Sequence, residues 1–238
     1  MNIFAISDTH FSLNPNRTME SFGPIWKGHM NQIKKNWRNT VNSSDIVMIG
    51  GDISWETKFE KALVHLRELS DLPGSSKIII KGNHDHWFKS LDDLNGNLPK
   101  NMTALMGTAI KIGSHIFAGT RGWLAPNDPA GDSLDKKTFE KEMVLLEQAL
   151  EQAVALAQKV GAESKIHLLL HFPPFTTTGK TTAFWDLITK YPVHTCTYGH
   201  FHLAAEFEAI PKGLVDGIYC NLTSTDYIKH SPVPVFVE

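Results

Sequence analysis

Ligating side chains crowd into single turns of this sequence. Residues 81–87, KGNHDHW, place Asn83, His84, Asp85 and His86 directly after the apolar run Ile78–Ile80. A loop that only reverses the chain can be built from Gly, Asn and Ser, so these carboxylate and imidazole groups indicate a chemical role. Similar groups occur at four other places in the sequence: Asp8 and His10, Asp52, His171, and His200 with His202.

Each of these groups follows a short apolar run that reads as a buried strand. The predicted strands are Ile3–Ile6, Ile46–Ile49, Ile78–Ile80, Ile166–Leu170 and, with a weaker pattern, Thr195–Tyr198. Apolar residues at helical spacing predict helices over residues 57–70 and from Lys137 to Val160. Ligands of open α/β sheets gather at the carboxyl ends of the strands. We therefore expect the five groups to meet at one end of an α/β fold.

The types and spacing of these side chains suit metal ions. Asp8-x-His10 and His200-x-His202 have the two-residue period that places both side chains of an extended segment on one face. The candidate ligands are carboxylate, imidazole and amide groups, with no thiolate. Such a set suits two divalent or trivalent metal ions, of which Mn and Fe are preferred and Zn is a further option. Seven candidate ligands are too many for one tetrahedral ion. With one shared carboxylate they fill two sites.

The charge of such a centre favours an anionic substrate. Two divalent ions bring +4, from which two carboxylates remove 2 and a bridging hydroxide about 1 more. Roughly one positive charge remains for an incoming anion, and a phosphate ester is the natural guest. Two metal ions lower the pKa of a bridging water and polarise phosphoryl oxygens during in-line displacement. We therefore expect a metal-dependent hydrolase of phosphomonoesters or phosphodiesters.

Asp8-x-His10, Gly51-Asp52, Gly82-Asn83-His84-Asp85, His171 and Gly199-His200-x-His202 resemble the five sequence blocks of the calcineurin-like metallophosphoesterases. They occur in the order of that family and cover residues 8–202. The resemblance implies a four-layer α-β-β-α sandwich of two mixed sheets flanked by helices, with a dinuclear metal site. It implies that Asp8, His10 and His202 hold one metal and that Asp52 bridges. Asn83, His171 and His200 complete the second site, and His84 acts on the leaving oxygen of the substrate.

Two observations bear on the substrate and on other functions. Gly51-Asp52 is followed by ISWE and lacks the GD-x-x-DRG extension of the protein serine/threonine phosphatases of this family, which favours a small-molecule or nucleotide phosphoester. A non-catalytic scaffold for protein binding is the alternative, but all eight family positions are filled. An amidohydrolase with its H-x-H pair after the first strand of a β/α barrel is disfavoured, because the pair occurs late in this chain.

Several side chains keep two interpretations. Asp85 either supports a ligand imidazole or caps the next helix, and Arg121 either contacts phosphate or lies on the surface. Trp55 and Trp123 either wall a pocket or belong to the core. Lys180 lies in TTTGKTT, which lacks the first glycine of a Walker A loop and so predicts no P-loop; a place in the lining of the active site stays open for Lys180 and the nearby threonines. His86 is predicted to pack or face solvent. Structural or solvent-facing roles are predicted for His29, His65, His115, His167, His194 and His230.

The remaining features predict one domain over residues 1–238. A hairpin is predicted at residues 109–119, strand-like pieces at 206–210, 217–222 and 233–237, and a substrate-side lid at 122–135. The net charge of −2 gives no broad electrostatic case for binding nucleic-acid polymers or membranes. Cys196 and Cys220 are expected to be buried thiols, with a disulfide between them as the alternative. Without a secretory pattern, a cytoplasmic location is expected.

Overall fold

The computed structural model of the protein describes residues 1–17, 19–126, 128–130 and 136–236. Its helices are α1 His29–Thr40, α2 Phe59–Ser70, α3 Leu91–Asn95, α4 Lys136–Val160, α5 Ala183–Ile188 and α6 Ala204–Ala209. Its strands are β1 Ile3–Ile6, β2 Ile46–Ile49, β3 Ser76–Ile80, β4 Met102–Leu105, β5 Thr108–Ile112, β6 His115–Thr120, β7 Lys165–Leu170, β8 Val193–Tyr198, β9 Gly213–Val215, β10 Ile218–Leu222 and β11 Val233–Phe236. Both predicted helices and the five ligand-bearing strands are therefore present.

Two mixed sheets form the centre of the fold. In the first, of order β11-β1-β2-β3-β4, strands β1 to β4 run parallel and β11 is an antiparallel edge. In the second, of order β5-β6-β7-β8-β10-β9, the four inner strands are parallel and β5 and β9 are antiparallel edges. Helices α1 and α2 pack on the first sheet, and α4 and α5 on the second. This is the four-layer α-β-β-α sandwich that the resemblance implies.

Strands β1 and β2 are apolar throughout because both faces of the first sheet are covered there. In β1, Ile3 and Ala5 face the second sheet, whereas Phe4 and Ile6 face helices α1 and α2. Parallel strands covered on both faces read as continuous hydrophobic runs rather than alternating ones. The first polar side chains after β1 and β2 lie in the loops at the carboxyl ends of these strands.

Histidines outside the ligand groups fill buried positions. His29, His65, His115, His167 and His230 are buried, and His194 is half-buried. Between the sheets, His167 places Nδ1 2.9 Å from Thr195 Oγ1 and Nε2 2.9 Å from His115 Nδ1. Burial, together with the charges of the neighbouring His115 and His194 imidazoles, lowers the pKa of His167 to about 3. The His167 side chain is therefore a neutral, structural part of the core.

Acid is expected to destabilise the protein partly through His167. The imidazole titrates near 6.5 in the unfolded chain and near 3 in the fold. Between these values the unfolded state binds more protons, so the free energy of unfolding falls as pH is lowered. This group should account for about 2 kcal/mol between pH 6.5 and pH 5. Urea unfolding of His167→Gln across that range should show a shallower pH dependence than the wild type. Equal pH slopes would contradict the assignment.

The structure corrects one prediction for the C-terminal part of the chain. The segment Glu206–Ile210, predicted to be strand-like, lies mostly in helix α6. Two alanines begin this helix, and the Glu206 carboxylate accepts hydrogen bonds from the backbone N–H groups of His202 and Leu203 at 3.1 and 3.0 Å. A carboxylate that satisfies free N–H groups stabilises a helix start, which the short apolar pattern did not reveal. The other two tail segments are strands β10 and β11, and residue 237 lies outside the described residues.

The remaining predictions have mixed outcomes. The hairpin is present as β5 paired with β6. Within the loop over residues 122–135, positions 127 and 131–135 lie outside the described residues, and the described part has no helix or strand. Cys196 and Cys220 are register neighbours on β8 and β10, both buried as free thiols. No helix among the described residues combines the length and hydrophobicity needed to cross a membrane.

Candidate metal centre

The predicted ligands come together at one end of the sandwich. Asp8 and His10 follow β1, Asp52 follows β2, and Asn83 and His84 follow β3 in the first sheet. From the second sheet, His171 follows β7, and His200 and His202 follow β8. Because these strands are parallel within each sheet, their carboxyl ends lie side by side.

Two clusters of potential ligand atoms form there. Asp8, His10 and His202 place one donor atom each within 4.8 Å of one another, and so do Asp8, Asp52 and His171. Asp8 therefore belongs to both clusters. Asp52 also lies between them, with Oδ2 3.7 Å from His10 Nε2 and 3.6 Å from His171 Nε2.

Asn83 and His200 adjoin the second cluster. Asn83 Oδ1 lies 2.8 Å from His171 Nε2, and the ring centroid of His200 lies 5.0 Å from that of His171. All seven predicted ligands are thus near the two clusters, whereas the division of these ligands between two ions stays a prediction.

Each aspartate uses one oxygen to hold a loop and keeps the other for the cluster. Asp8 Oδ2 accepts the backbone N–H of His200 at 2.9 Å, and Asp52 Oδ1 accepts that of His84 at 2.8 Å. Asp8 Oδ1 is buried and has no hydrogen-bond partner. A buried carboxylate oxygen without a donor is costly, and a cation bound between the clusters would remove that cost.

The imidazole of His10, like Asp8 Oδ1, is buried without a hydrogen-bond partner. Its side chain is only 2% exposed, and neither Nδ1 nor Nε2 has a hydrogen-bond partner. The ring stacks on Trp55 at 4.8 Å between centroids, and the edge of Trp26 lies at 5.9 Å. Aromatic packing therefore fixes a ring whose nitrogen atoms lack partners. A metal ion at Nε2, which faces Asp52, fits this environment.

His171 and Asn83 direct lone pairs towards each other. Gly50 O lies 2.9 Å from His171 Nδ1 and can only accept, so Nδ1 carries the proton of the neutral ring. His171 Nε2 then presents a lone pair to the Asn83 amide, whose oxygen lies 2.8 Å away. Two converging acceptors repel unless a positive charge lies next to both. This geometry fits a metal ion bound by Nε2 and Oδ1.

Burial sets the protonation of these groups. It raises the pKa of Asp8 to about 7 and raises that of Asp52, where the carboxylates of Asp85 and Asp8 add to the effect. It lowers the pKa of His10 and His200, and that of His171 to about 3. His10, His171 and His200 are thus neutral imidazoles that can bind a metal ion. The buried carboxylates of Asp8 and Asp52 favour a neighbouring positive charge.

Backbone strain is concentrated at these residues. Asp8, His10, Asp52 and His200 have φ values of 60°, 46°, 48° and 72°, in the left-handed region that non-glycine residues rarely adopt. Two glycines give the loops room to approach: a Cβ on Gly82 would overlap the Asp52 carboxylate, and one on Gly199 would overlap that of Asp8. Gly82 therefore provides the space into which the Asp52 loop fits.

Comparison with known proteins identifies the family of the chain. The sequence profile of the family described as calcineurin-like phosphoesterase matches residues 1–204, a span that contains every candidate ligand. The chain belongs to the calcineurin-like phosphoesterase family. A crystal structure of the protein of unknown function AQ665 from Aquifex aeolicus is similar over 98% of this chain and 95% of that chain, with 18% sequence identity and a TM-score of 0.48. No curated protein matches the chain.

Asp226 is a supporting residue of the phosphoesterase site that the sequence did not reveal. Its Oδ1 accepts a hydrogen bond from His202 Nδ1 at 3.0 Å, which leaves Nε2 of that ring facing Asp8 Oδ1 at 3.8 Å. Burial lowers the pKa of His202, but the hydrogen bond to Asp226 and the charge of Asp8 outweigh it, so the net shift is upward. Asp226 follows β10, another parallel strand, and the strand-end rule applied to residues 223–226 would have found it.

Asp226→Asn is expected to weaken metal binding about 10- to 100-fold, because a carboxylate that orients a ligand histidine also raises its basicity. Metal titration followed by elemental analysis measures the affinity. Asp216→Asn is the matched control, since Asp216 accepts a hydrogen bond from Trp185 Nε1 at 2.9 Å and makes no contact with a candidate ligand. Equal affinities in both variants would show that Asp226 does not support the site.

Asp85 neither supports a ligand imidazole nor caps the next helix, the two roles that the sequence suggested. Its carboxylate accepts hydrogen bonds from the backbone N–H groups of Ile53, Ser54 and Gly82 at 3.0, 3.1 and 2.8 Å, and from Trp87 Nε1 at 3.0 Å. It therefore joins the loop that carries Asp52 to the loop that carries Asn83. A single buried carboxylate can do this because the close approach of the loops brings three N–H groups to one point.

A cavity of about 330 Å³ opens beside the ligand clusters. Its lining includes His84, whose side chain is 40% exposed and whose Nε2 lies 3.9 Å from Asp52 Oδ2. Burial lowers the pKa of His84, and the positive charges of His86, His202 and Arg17 would lower it further. Trp55 also lines the cavity, so it is a wall of the site rather than a core residue. His86 is exposed.

The other ambiguous residues lie away from the cavity. Arg121 forms an ion pair with the buried Glu142, with Nη2 3.0 Å from Oε1, and its guanidinium lies 4.2 Å from the Trp123 ring centre. Lys180 is exposed in a turn closed by the hydrogen bond from Thr176 N to Lys180 O at 2.8 Å. Neither these residues nor the described part of loop 122–135 line the cavity.

Proposed function

We propose that this chain is a phosphohydrolase that cleaves a phosphomonoester or phosphodiester at a centre of two metal ions. The observation that carries the proposal is a group of buried potential ligand atoms that have no hydrogen-bond partner. They are Asp8 Oδ1 and both ring nitrogens of His10, and they lie where the two ligand clusters meet. Such atoms are costly in a fold unless a bound ion satisfies them. Membership of the calcineurin-like phosphoesterase family supports hydrolysis as the reaction.

We assign one metal ion to Asp8, His10 and His202, and the second to Asn83, His171 and His200, with Asp52 bridging. The position of Asp52 Oδ2 between His10 Nε2 and His171 Nε2, at 3.7 and 3.6 Å, supports the bridge. The mixture of oxygen and nitrogen donors favours Mn or Fe, with Zn as a further option. Two such ions lower the pKa of a water held between them and polarise the phosphoryl oxygens for in-line displacement.

Side chains around the cavity then position the phosphoester and assist the departure of its leaving group. The cavity adjoins Asp52 and admits a small ester, which agrees with a small-molecule or nucleotide substrate. His84 faces the same cavity without belonging to either three-residue cluster. Its N–H is placed to bind the phosphoryl group or to stabilise the leaving oxygen, which carries developing negative charge in the transition state.

A hydrolysis panel tests this function. Purified protein supplied with Mn²⁺, Fe²⁺ or Zn²⁺ is assayed on phosphomonoesters and phosphodiesters, and its bound metal is measured by elemental analysis. We expect about two metal ions per chain, as the two clusters predict, and turnover of at least one ester class. A folded protein that binds almost no metal and hydrolyses none of the esters would instead identify a scaffold of the same fold.

A further inference from the structure

We propose that the natural substrate carries one phosphate group on an apolar alkyl or aryl moiety, so that the site prefers such esters to those of sugars or nucleoside polyphosphates. This inference rests on the proposed phosphohydrolase function and adds the class of substrate. Three properties of the cavity support it: the apolar side chains next to the ligands, the exposure of two of these side chains, and the charges of the lining.

The cavity is lined by both polar and apolar side chains. The polar lining consists of candidate ligands, His84 and Glu206, and the apolar wall consists of Met19, Phe22, Trp55, Phe201 and Leu203. At about 330 Å³ the cavity lies at the lower end of the range for small-molecule sites. A phosphate bound at the ligand clusters would therefore have apolar side chains next to its ester group.

Two large apolar residues of this wall remain open to solvent. Phe22 is 52% exposed and Leu203 is 56% exposed. The ring of Phe22 packs edge-on against His202 with 5.8 Å between centroids, so this apolar surface begins directly at the ligand cluster. Removing such surface from water is favourable, and exposed apolar patches often mark binding sites. An apolar ester group bound there would cover both side chains.

The charges of the lining disfavour a second anionic group. Among the described residues, no lysine or arginine lines this cavity, and the one charged side chain beyond Asp52 and the histidines is Glu206. The Glu206 carboxylate is held at the rim by the backbone N–H groups of His202 and Leu203. Arg17 lines a neighbouring cavity instead, where its guanidinium lies 5.2 Å from the centre of the Trp55 ring. A substrate with further phosphates would meet the Glu206 carboxylate and no lysine or arginine among the described lining residues, because Arg17 acts on His84 from outside the cavity.

Esters that differ only in apolar length test the proposal. Ethyl, butyl and hexyl phosphate have leaving alcohols of nearly equal acidity, and the matching alkyl p-nitrophenyl diesters share one leaving group. We expect kcat/KM to rise about tenfold or more from ethyl to hexyl, mainly through KM, since a fully buried methylene contributes at most about fourfold. Glycerol phosphate and glucose 6-phosphate should resemble the ethyl ester or be poorer. Equal kcat/KM along both alkyl series would overturn the proposal.

Variants locate the preference in the apolar wall. Phe22→Ala and Leu203→Ala should each reduce the hexyl-to-ethyl ratio of kcat/KM about threefold to tenfold. The matched control is Leu214→Ala, a leucine of β9 that is 63% exposed and lies outside the cavity. A ratio that is unchanged by both cavity variants, or lowered equally by the control, would mean that these residues do not bind the ester group.

Binding separates this proposal from the proposed function. Hexylphosphonate and ethylphosphonate cannot be hydrolysed as esters, and calorimetry measures their affinity for the metal-loaded protein whether or not it is catalytically active. Tighter binding of hexylphosphonate supports the apolar site even if no ester is cleaved, an outcome that would reject only the hydrolase function. Equal affinities would reject the apolar site even in an active hydrolase.

Discussion

Asp52→Asn is expected to lose bound metal and phosphoester hydrolysis together. The Asp52 carboxylate lies between the two clusters, 3.7 Å from His10 Nε2 and 3.6 Å from His171 Nε2. Asparagine has the shape of aspartate, and its amide oxygen would keep the hydrogen bond that Asp52 Oδ1 accepts from the His84 N–H. The amide NH₂ would then take the place of Oδ2 and face the metal ions. The loss of a shared negative ligand should cost several kcal/mol, or at least about a thousandfold in kcat/KM.

The control for this variant is Asp45→Asn. Asp45 is equally buried and precedes the same strand, β2, at the end opposite to the candidate ligands. Its carboxylate accepts hydrogen bonds from the backbone N–H groups of Asn2 and Asn42 at 2.8 and 2.9 Å. This variant should lose stability but keep its metal content, which elemental analysis of both proteins would establish. Full metal content and normal turnover in Asp52→Asn would disprove the bridging assignment.

The sequence predicted which side chains come together because these residues follow buried strands. In β1 and β2 every residue is buried, so the first polar residues after each strand mark the edge of the sheet. One rule therefore selected candidate ligands such as Asp8 and His171 in both sheets, although the sequence does not state how the sheets stack. The stacking of the two sheets brings these strand ends together, and here the family resemblance supplied what periodicity could not.

Several elements that periodicity did not predict are too short to carry a pattern. Strand β9 is three residues long, with little burial of its own, and pairs at the edge with β10. Helices α3 and α5 have five and six residues, which is too short for a periodic pattern. The strand prediction for residues 206–210 was wrong because the carboxylate of Glu206 stabilises the start of α6 through backbone groups that a pattern of apolar residues does not reveal.

The contacts of the supporting residues could not be predicted because they join positions that are far apart in sequence. Asp226 contacts His202 across 24 positions, and Asp85 reaches Ile53 across 32. The loop with Phe22 and Trp26 has only short 3₁₀ turns, yet its rings lie against His202 at 5.8 and 5.4 Å. Strand ends can therefore point to a residue such as Asp226, whereas the partner of that residue is given only by the three-dimensional fold.

His84→Ala is expected to keep both metal ions and to lose rate in proportion to the basicity of the leaving group. The backbone N–H of His84, not its side chain, holds Asp52 Oδ1 at 2.8 Å, so alanine preserves that contact. The imidazole faces the cavity beside Trp55, with 4.3 Å between ring centroids. A group that donates a proton or hydrogen bond to the leaving oxygen contributes about 10²- to 10⁴-fold. The loss should be greatest for alkyl phosphates and smallest for p-nitrophenyl phosphate.

The neighbouring histidine makes this experiment selective. His86 is two residues away and exposed, so His86→Ala removes an imidazole from the same turn without emptying the cavity wall. It should keep both the rate and its dependence on the leaving group. If His84→Ala slows alkyl and p-nitrophenyl esters by the same factor, the side chain binds the phosphoryl group instead, because phosphoryl binding is required equally for every ester. If His84→Ala loses metal, the residue belongs to the ligand set and its assignment to the leaving oxygen is wrong.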